Sequence, residues 1–273
     1  MELNKIWCES NEITMREHID KKQVDVILTS PFYNSTDGNR GTLNNSNGKG
    51  YASCRYDEFN DNMSELEYNE YTLKLFDEFD KILKSNGCIL YNISYGSNNP
   101  DGMFKVINEI ICKSNFSIAD CLIWKKKSAL PNNVSSNRLT RITEFVFVFA
   151  RKNELDTFHC NKKIVSKSRT NQCYYENIFN FIEADNNDEP CPYNKATFST
   201  DFVKKLLKIY APKNAIVYDC FMGSGTTGLA CKQMGFNYIG SEISPNQVDW
   251  AENRIKNDKG FRSEDLKNNI FDF

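Results

Sequence analysis

Short apolar runs alternate with amphipathic stretches along most of the chain, and this alternation leaves few folds open. VDVILTS (24–30), GCILYNI (87–93), SIADCLIW (117–124), TEFVFVFAR (143–151), NAIVYDC (214–220) and FNYIGSEI (236–243) read as buried strands. Between them, 63–84, 103–115, 199–210, 225–235 and 244–258 carry apolar residues at helical spacing. Boundaries are marked by residues that cap helices: Ser64, Ser199 or Thr200, and Ser244 followed by Pro245 at N-termini, Gly235 at a C-terminus. Strands alternating with helices predict an α/β fold: a mostly parallel twisted sheet with helices on both faces.

The rhythm lapses in three places. Residues 34–60 are rich in Asn, Gly and Ser and read as a long loop; 151–193 are by turns polar, basic and aromatic; the tail after 260 is polar. The 273 residues suffice for one large α/β domain with a small insertion. No apolar run is long enough to span a bilayer, and MELNKIWCES lacks the features of a signal peptide, so a cytoplasmic setting without a membrane partner is expected. None of the ten cysteines forms a Cys-x-x-Cys pair, which predicts reduced core thiols and no metal site. His18 and His159 have no triad context, and His18 reads as a solvated surface residue.

Net charge is −2, yet residues 125–172 hold 11 Lys and Arg against 3 acids, a local surplus of +8 that leaves about −10 for the remainder. That asymmetry suits one basic, nucleic-acid-binding face, with a solvated basic surface as the alternative.

Three stretches carry candidate chemistry. In VYDCFMGSGTTG (217–228) an apolar strand ends in an acid, turns through Gly223 and Gly225 and enters a helix. Open α/β sheets bind ligands there, although a bare strand-to-helix turn would look the same. The loop lacks the Lys-Ser/Thr of a Walker sequence. Glu242 ends the next strand, placed to accept two ribose hydroxyls. Ser30-Pro31-Phe32-Tyr33 follows the first of these strands directly. Taken alone, that Pro simply ends a strand and the rings pack under a loop.

Together these residues resemble the S-adenosylmethionine-dependent amino-methyltransferases of DNA. In that family a Ser/Asp/Asn-Pro-Pro-Tyr/Phe tetrapeptide follows a strand and an Asp-x-Phe-x-Gly-Ser-Gly-Thr-Thr loop binds the cofactor. Here they match Ser30–Tyr33 and Asp219–Thr227. The order, tetrapeptide first and cofactor loop last, is similar to the family's β group. Trp124, Lys126, Pro131, Arg138 and Glu144 match its Trp-x-Lys…Pro…Arg…Glu segment, and 194–199 resemble its His-Pro-Ala-x-Phe-Pro segment. The resemblance covers about 5–258. Phe32 stands where the family usually has Pro, Asn194-Lys195 replace His-Pro, and Ser199 replaces the final Pro.

The resemblance implies a Rossmann-like methyltransferase fold in permuted order with a small target-recognition insertion. Its parts would be a catalytic half at 1–150 with a DNA-facing loop at 34–60, a target-recognition region at 151–193, a cofactor-binding half at 194–260 and a tail at 261–273. Catalysis falls to Ser30, Pro31, Phe32 and Tyr33. The Ser30 hydroxyl and Pro31 carbonyl would hold the hydrogens of an exocyclic amine, with Tyr33 stacking on a flipped-out base and Phe32 walling the pocket. S-adenosylmethionine falls to Asp219, Phe221, Gly223, Ser224, Gly225, Thr226, Thr227, Glu242, Thr29, Phe198 and Ser199. Double-stranded DNA falls to Lys126, Arg138, Arg141, Lys162, Lys163, Lys167 and Arg169, with Asn171 and Gln172 suited to base edges; for each residue, plain surface is the alternative. Ser at the first tetrapeptide position resembles the N4-cytosine subgroup, and Asp the N6-adenine subgroup. The expected activity is therefore cytosine-N4 methylation of DNA within a restriction–modification system, with a cognate endonuclease and a homodimer as further expected partners. N6-adenine methylation, an RNA or protein amino-methyltransferase, and an inactive DNA-binding protein are the alternatives.

Overall fold

The structure, a computed structural model, describes residues 1–34, 43–44, 50–51, 63–96, 99–128, 136–189, 191–194 and 196–258. Most of the expected loop 34–60, Pro131, Lys195 and the tail 261–273 lie outside the described residues. The elements follow in the order β1 (Lys5–Cys8), α1 (Asn11–Glu17), β2 (Val24–Thr29), β3 (Leu43–Asn44), β4 (Gly50–Tyr51), α2 (Glu65–Ile82), β5 (Leu83–Ile93), α3 (Gly102–Lys113), β6 (Phe116–Lys126), β7 (Thr143–Arg151), β8 (Ile164–Lys167), β9 (Cys173–Tyr175), β10 (Phe181–Ala184), α4 (Thr200–Tyr210), β11 (Ile216–Asp219), α5 (Thr226–Met234), β12 (Asn237–Glu242) and α6 (Pro245–Asn257).

One sheet takes eight strands in the order β1-β12-β11-β2-β5-β7-β6-β10. Every neighbouring pair is parallel except those made by β7, which runs against both β5 and β6. This is the Rossmann-like α/β architecture in permuted order. Alternate side chains feed opposite faces. Val26, Leu28, Cys88, Leu90, Val146 and Val148 pack with α4, α5 and α6. Ile27, Ile89, Tyr91, Phe147 and Phe149 pack with α1, α2 and α3. On the second face Phe76 is fully buried. Its ring centroid lies 5.2–5.7 Å from those of Phe79, Tyr91, Phe116 and Phe149. Burying one such ring contributes about 1.5–3 kcal/mol.

The expected caps form. Ser64 and Glu67 close a reciprocal capping box, Ser199 and Ser244 accept the N–H three residues on, and Gly235 ends α5 at φ +73°. β5 starts earlier than the apolar run suggests, at Leu83, because a bulge between its pairings with Val24 and Val26 absorbs the extra residues. β1 and α1 carry too few residues for periodicity to announce them. They also correct the expectation for His18, which lies flat on Trp7 at 3.5 Å between ring centroids and places Nε2 3.3 Å from Glu9. Its ring covers Trp7 where α1 folds back over β1, so it is half-buried rather than solvated.

Residues 151–193 divide in two. β8 and β9 form a separate, exposed antiparallel hairpin, while β10 returns to the edge of the main sheet beside β6. The basic surplus at 125–172 is partly neutralised. Lys125 pairs with Glu183, Lys126 with Glu144, and Lys127 with Asp185. Arg151 is buried, pairs with Asp80 and Glu154, and donates to the carbonyls of Leu83 and Lys84.

Candidate active site

β2 and β11 lie side by side, and the chain leaves them in opposite directions along the sheet, β2 towards β5 and β11 towards β12. Divergence of this kind opens a crevice beyond the carboxyl ends of the strands. The glycine loop occupies it. Gly223 and Gly225 have φ of +52° and +80°, a region that strains side chains other than glycine. The loop is pinned by Asp219. One carboxylate oxygen accepts the Thr29 hydroxyl at 2.8 Å and the Phe221 N–H at 3.1 Å, and the other accepts the Thr227 hydroxyl at 2.6 Å. Burial pushes the Asp219 carboxyl up to about 6 from its ordinary 3.8, against the opposite pull of these three donors.

Above the loop is a cavity of about 320 Å³. Of the residues assigned to the cofactor, Phe221, Gly223, Ser224, Thr226, Glu242 and Phe198 line it. Asp219, Thr29, Thr227, Gly225 and Ser199 stand behind the wall. The first three hold one another, Gly225 caps α5, and Ser199 caps α4 while donating to the Asp185 carbonyl at 2.7 Å. Glu242 accepts the Gly223 N–H at 2.9 Å with one oxygen and the Ser244 N–H at 3.0 Å with the other. Asn194, at the position of the family's His, wedges against Gly223 and donates to Gln247 Oε1 at 2.9 Å.

Ser30 lines the same cavity, and so does Phe32, which is 4% exposed and packs on Tyr68, Tyr71 and Phe221. The Tyr68 hydroxyl donates to the Phe32 carbonyl at 2.8 Å, which fixes the tetrapeptide backbone. Pro31 is buried. The Tyr33 hydroxyl lies 3.2 Å from Ser30 Oγ, 3.0 Å from Glu144 Oε2 and 3.3 Å from Asn92 Oδ1. Glu144 starts β7. Because that strand runs against its neighbours, its beginning lies at the same sheet edge as the ends of β2, β5 and β6. Lys126, at the end of β6, completes the cluster with Nζ 2.6 Å from Glu144 Oε1.

The other residues assigned to DNA lie elsewhere. Arg141 donates to the Tyr95 carbonyl and sits over its ring, and Arg138 is exposed on the connection before β7. Lys162, Lys167 and Arg169 are exposed on and around the β8–β9 hairpin, with Lys163 half-buried beside them. Asn171 and Gln172 are exposed at its turn.

Several lining residues have no counterpart in the sequence reading. Glu9 and Ser10 enter from the β1–α1 turn, Asn11 and Glu12 from the first turn of α1, and Tyr71 from α2. Asn11 donates to the Tyr71 hydroxyl at 3.0 Å. The available signal was Ser10, which caps α1. Cys220 also lines the cavity, but burial pushes its thiol well up, which opposes formation of a nucleophilic thiolate.

The DNA methylase family of N6 and N4 methyltransferases matches residues 24–253. The chain is 24% identical to the type II methyltransferase M.HinfI of Haemophilus influenzae over 251 residues, which cover 87% of this chain and 64% of that protein. Its fold is similar to that of the solved PvuII DNA methyltransferase (cytosine-N4-specific), with a TM-score of 0.67, 17% identity, and coverage of 98% of this chain and 91% of that one. It is also similar to the M1.HpyAVI–SAM complex, with a TM-score of 0.57, 22% identity, and coverage of 92% and 98%. With its glycine loop and tetrapeptide meeting at one cavity, and the family match spanning both, the chain belongs to the N6/N4 DNA methylase family.

Proposed function

We propose that this protein transfers a methyl group from S-adenosylmethionine to the exocyclic N4 amine of a flipped-out cytosine in DNA, as the modification enzyme of a restriction–modification system. The observation that carries this reading is the position of Ser30. It borders the cavity of the glycine loop and also contacts the Tyr33 hydroxyl, so cofactor and acceptor sites are contiguous.

The cavity suits the cofactor. Its volume of about 320 Å³ lies at the lower end of small-ligand sites. Glu242 offers carboxylate oxygens to ribose hydroxyls, Phe221 and Ile243 offer apolar wall, and Asn194, Thr197 and Ser224 offer polar groups to the amino-acid end. The M1.HpyAVI complex, which carries SAM, supports the assignment. When bound, S-adenosylmethionine would supply a methyl group on a cationic sulfur, so the acceptor nitrogen displaces a neutral thioether and releases one proton.

The protein's share is orientation. An exocyclic amine is a weak nucleophile because its lone pair is delocalised into the ring. Acceptors at Ser30 Oγ and the Pro31 carbonyl would hold its two hydrogens and direct the lone pair into the cavity. The Phe32 ring, buried against Tyr68 and Tyr71, supports the loop at the position where the family usually has its second Pro. Cytosine is favoured over adenine because the tetrapeptide begins with Ser, and the PvuII enzyme of similar fold is cytosine-N4-specific. Residues 151–193, with exposed Lys162, Lys167 and Arg169, are proposed to face the DNA and read its sequence.

The test is mass spectrometry of nucleosides from DNA treated with the protein and methyl-labelled S-adenosylmethionine. N4-methylcytosine is the expected product. N6-methyladenine would keep the mechanism and overturn the base assignment. Unlabelled DNA, despite cofactor binding, would turn the search to RNA or protein acceptors.

A further inference from the structure

A hydroxyl facing an amine can donate or accept, and only acceptance helps to aim the nitrogen's lone pair. Ser30 alone does not decide between them, but its neighbours do. Lys126 Nζ has only donors and gives one to Glu144 Oε1 at 2.6 Å. Glu144 Oε2 is left as an acceptor, 3.0 Å from the Tyr33 hydroxyl. The amide of Asn92 is oriented by its own donation from Nδ2 to the Phe145 carbonyl at 3.0 Å, so Oδ1 also faces Tyr33 as an acceptor, at 3.3 Å. Tyr33 has one proton, and the shorter bond to the charged partner takes it. Its oxygen then accepts from Ser30 Oγ, 3.2 Å away. With the Ser30 proton committed inward, the lone pairs of Ser30 are what it presents to a ligand in the cavity.

We propose that Lys126 and Glu144 set the direction of a hydrogen-bond chain through Tyr33, so that Ser30 meets the target amine as an acceptor. The chain rests on the methyltransferase reading above and deepens it. Glu144 and Lys126 are positioning residues that act through Tyr33 and Ser30. The amine class of substrate follows from the same polarity: a carbonyl or ring nitrogen, which offers no hydrogen, would meet only lone pairs at Ser30. Lys126 thereby acquires a role other than phosphate binding.

Glu144→Gln tests the direction while preserving the shape. Its amide oxygen goes to Lys126 and its NH2 faces Tyr33, which turns the Tyr33 proton away from residue 144 and disfavours the inward donation by Ser30. In methylation assays on DNA, E144Q is expected to lower kcat on the order of tenfold to a hundredfold while leaving the KM for S-adenosylmethionine within about twofold. Tyr33→Phe removes the link, so the double variant Y33F/E144Q is expected to be no slower than Y33F. Losses that multiply in the double variant would overturn the proposal, since they would mean that Glu144 acts independently of Tyr33.

A second readout needs no turnover. In full-length protein carrying tyrosine labelled with ¹³C at Cζ, Y33F identifies the Tyr33 resonance among the 13 tyrosines. E144Q is expected to shift that resonance, and an unmoved resonance would refute the chain. If the wild-type protein methylates no DNA, the functional reading fails, whereas the resonance still decides whether Glu144 holds the Tyr33 proton.

Discussion

The Glu242 carboxylate accepts the Gly223 N–H at 2.9 Å, which ties the end of β12 to the glycine loop that follows β11. Its second oxygen accepts the Ser244 N–H at the start of α6. A carboxylate can satisfy both donors and still offer lone pairs to a ligand. Glu242→Gln has one carbonyl oxygen and orphans one N–H. Affinity for S-adenosylmethionine is expected to fall about tenfold, equivalent to the loss of roughly one hydrogen bond to a charged group, read by isothermal titration calorimetry.

Asp219 makes stability depend on pH in an unusual direction. Its folded-state value is raised to about 6 from 3.8, so between these values the folded protein holds a proton that the unfolded chain has released. Its contribution to stability is full below about pH 4 and declines as pH rises to about 6, by up to about 3 kcal/mol. Asp219→Asn removes this titration. Relative to wild type, the variant is expected to be more destabilised at pH 4 than at pH 8, in urea unfolding at both pH values.

Gly225 combines φ of +80° with a close approach to α6. An added Cβ would lie 2.6 Å from the Ala251 Cβ. Gly225→Ala therefore strains the backbone and pushes α6 from α5 together. A loss of about 2–4 kcal/mol in chemical denaturation is expected.

Arg254 joins the glycine loop to the end of the 151–193 stretch. It donates to the Thr226 hydroxyl at 3.0 Å and the Ser224 carbonyl at 3.3 Å, and it pairs with Asp188 and Glu189. Both acids are partly exposed, so solvent screens the pairs. Arg254→Met is expected to cost about 1–2 kcal/mol of stability. Limited proteolysis should show earlier cleavage around 185–198 than in wild type.

Lys162, Lys167 and Arg169 surround the exposed hairpin. If they meet phosphates, replacing all three with Ala reduces the slope of log affinity against log salt by about 2–3. Fluorescence anisotropy with duplex DNA at several salt concentrations measures this, and an unchanged slope would remove the hairpin from the DNA interface.

The sequence by itself determined the alternating elements, their caps, the glycine loop, the acid that ends β12 and the tetrapeptide after β2. Each is written in neighbouring residues, through strand and helix periodicity or through the side chains that a turn requires. It also marked Lys126 and Glu144 as parts of one segment, but not their purpose. Only the tertiary structure decided that Tyr33 meets Glu144 across 111 residues, since that contact needs β7 to run antiparallel between β5 and β6. The same holds for Glu9 and Asn11, carried to the cavity by a four-residue edge strand that is stable only when paired with β12. Strand order and direction are set by which faces can be buried together, a property of the whole sheet, whereas a cap or a turn is set within a few residues.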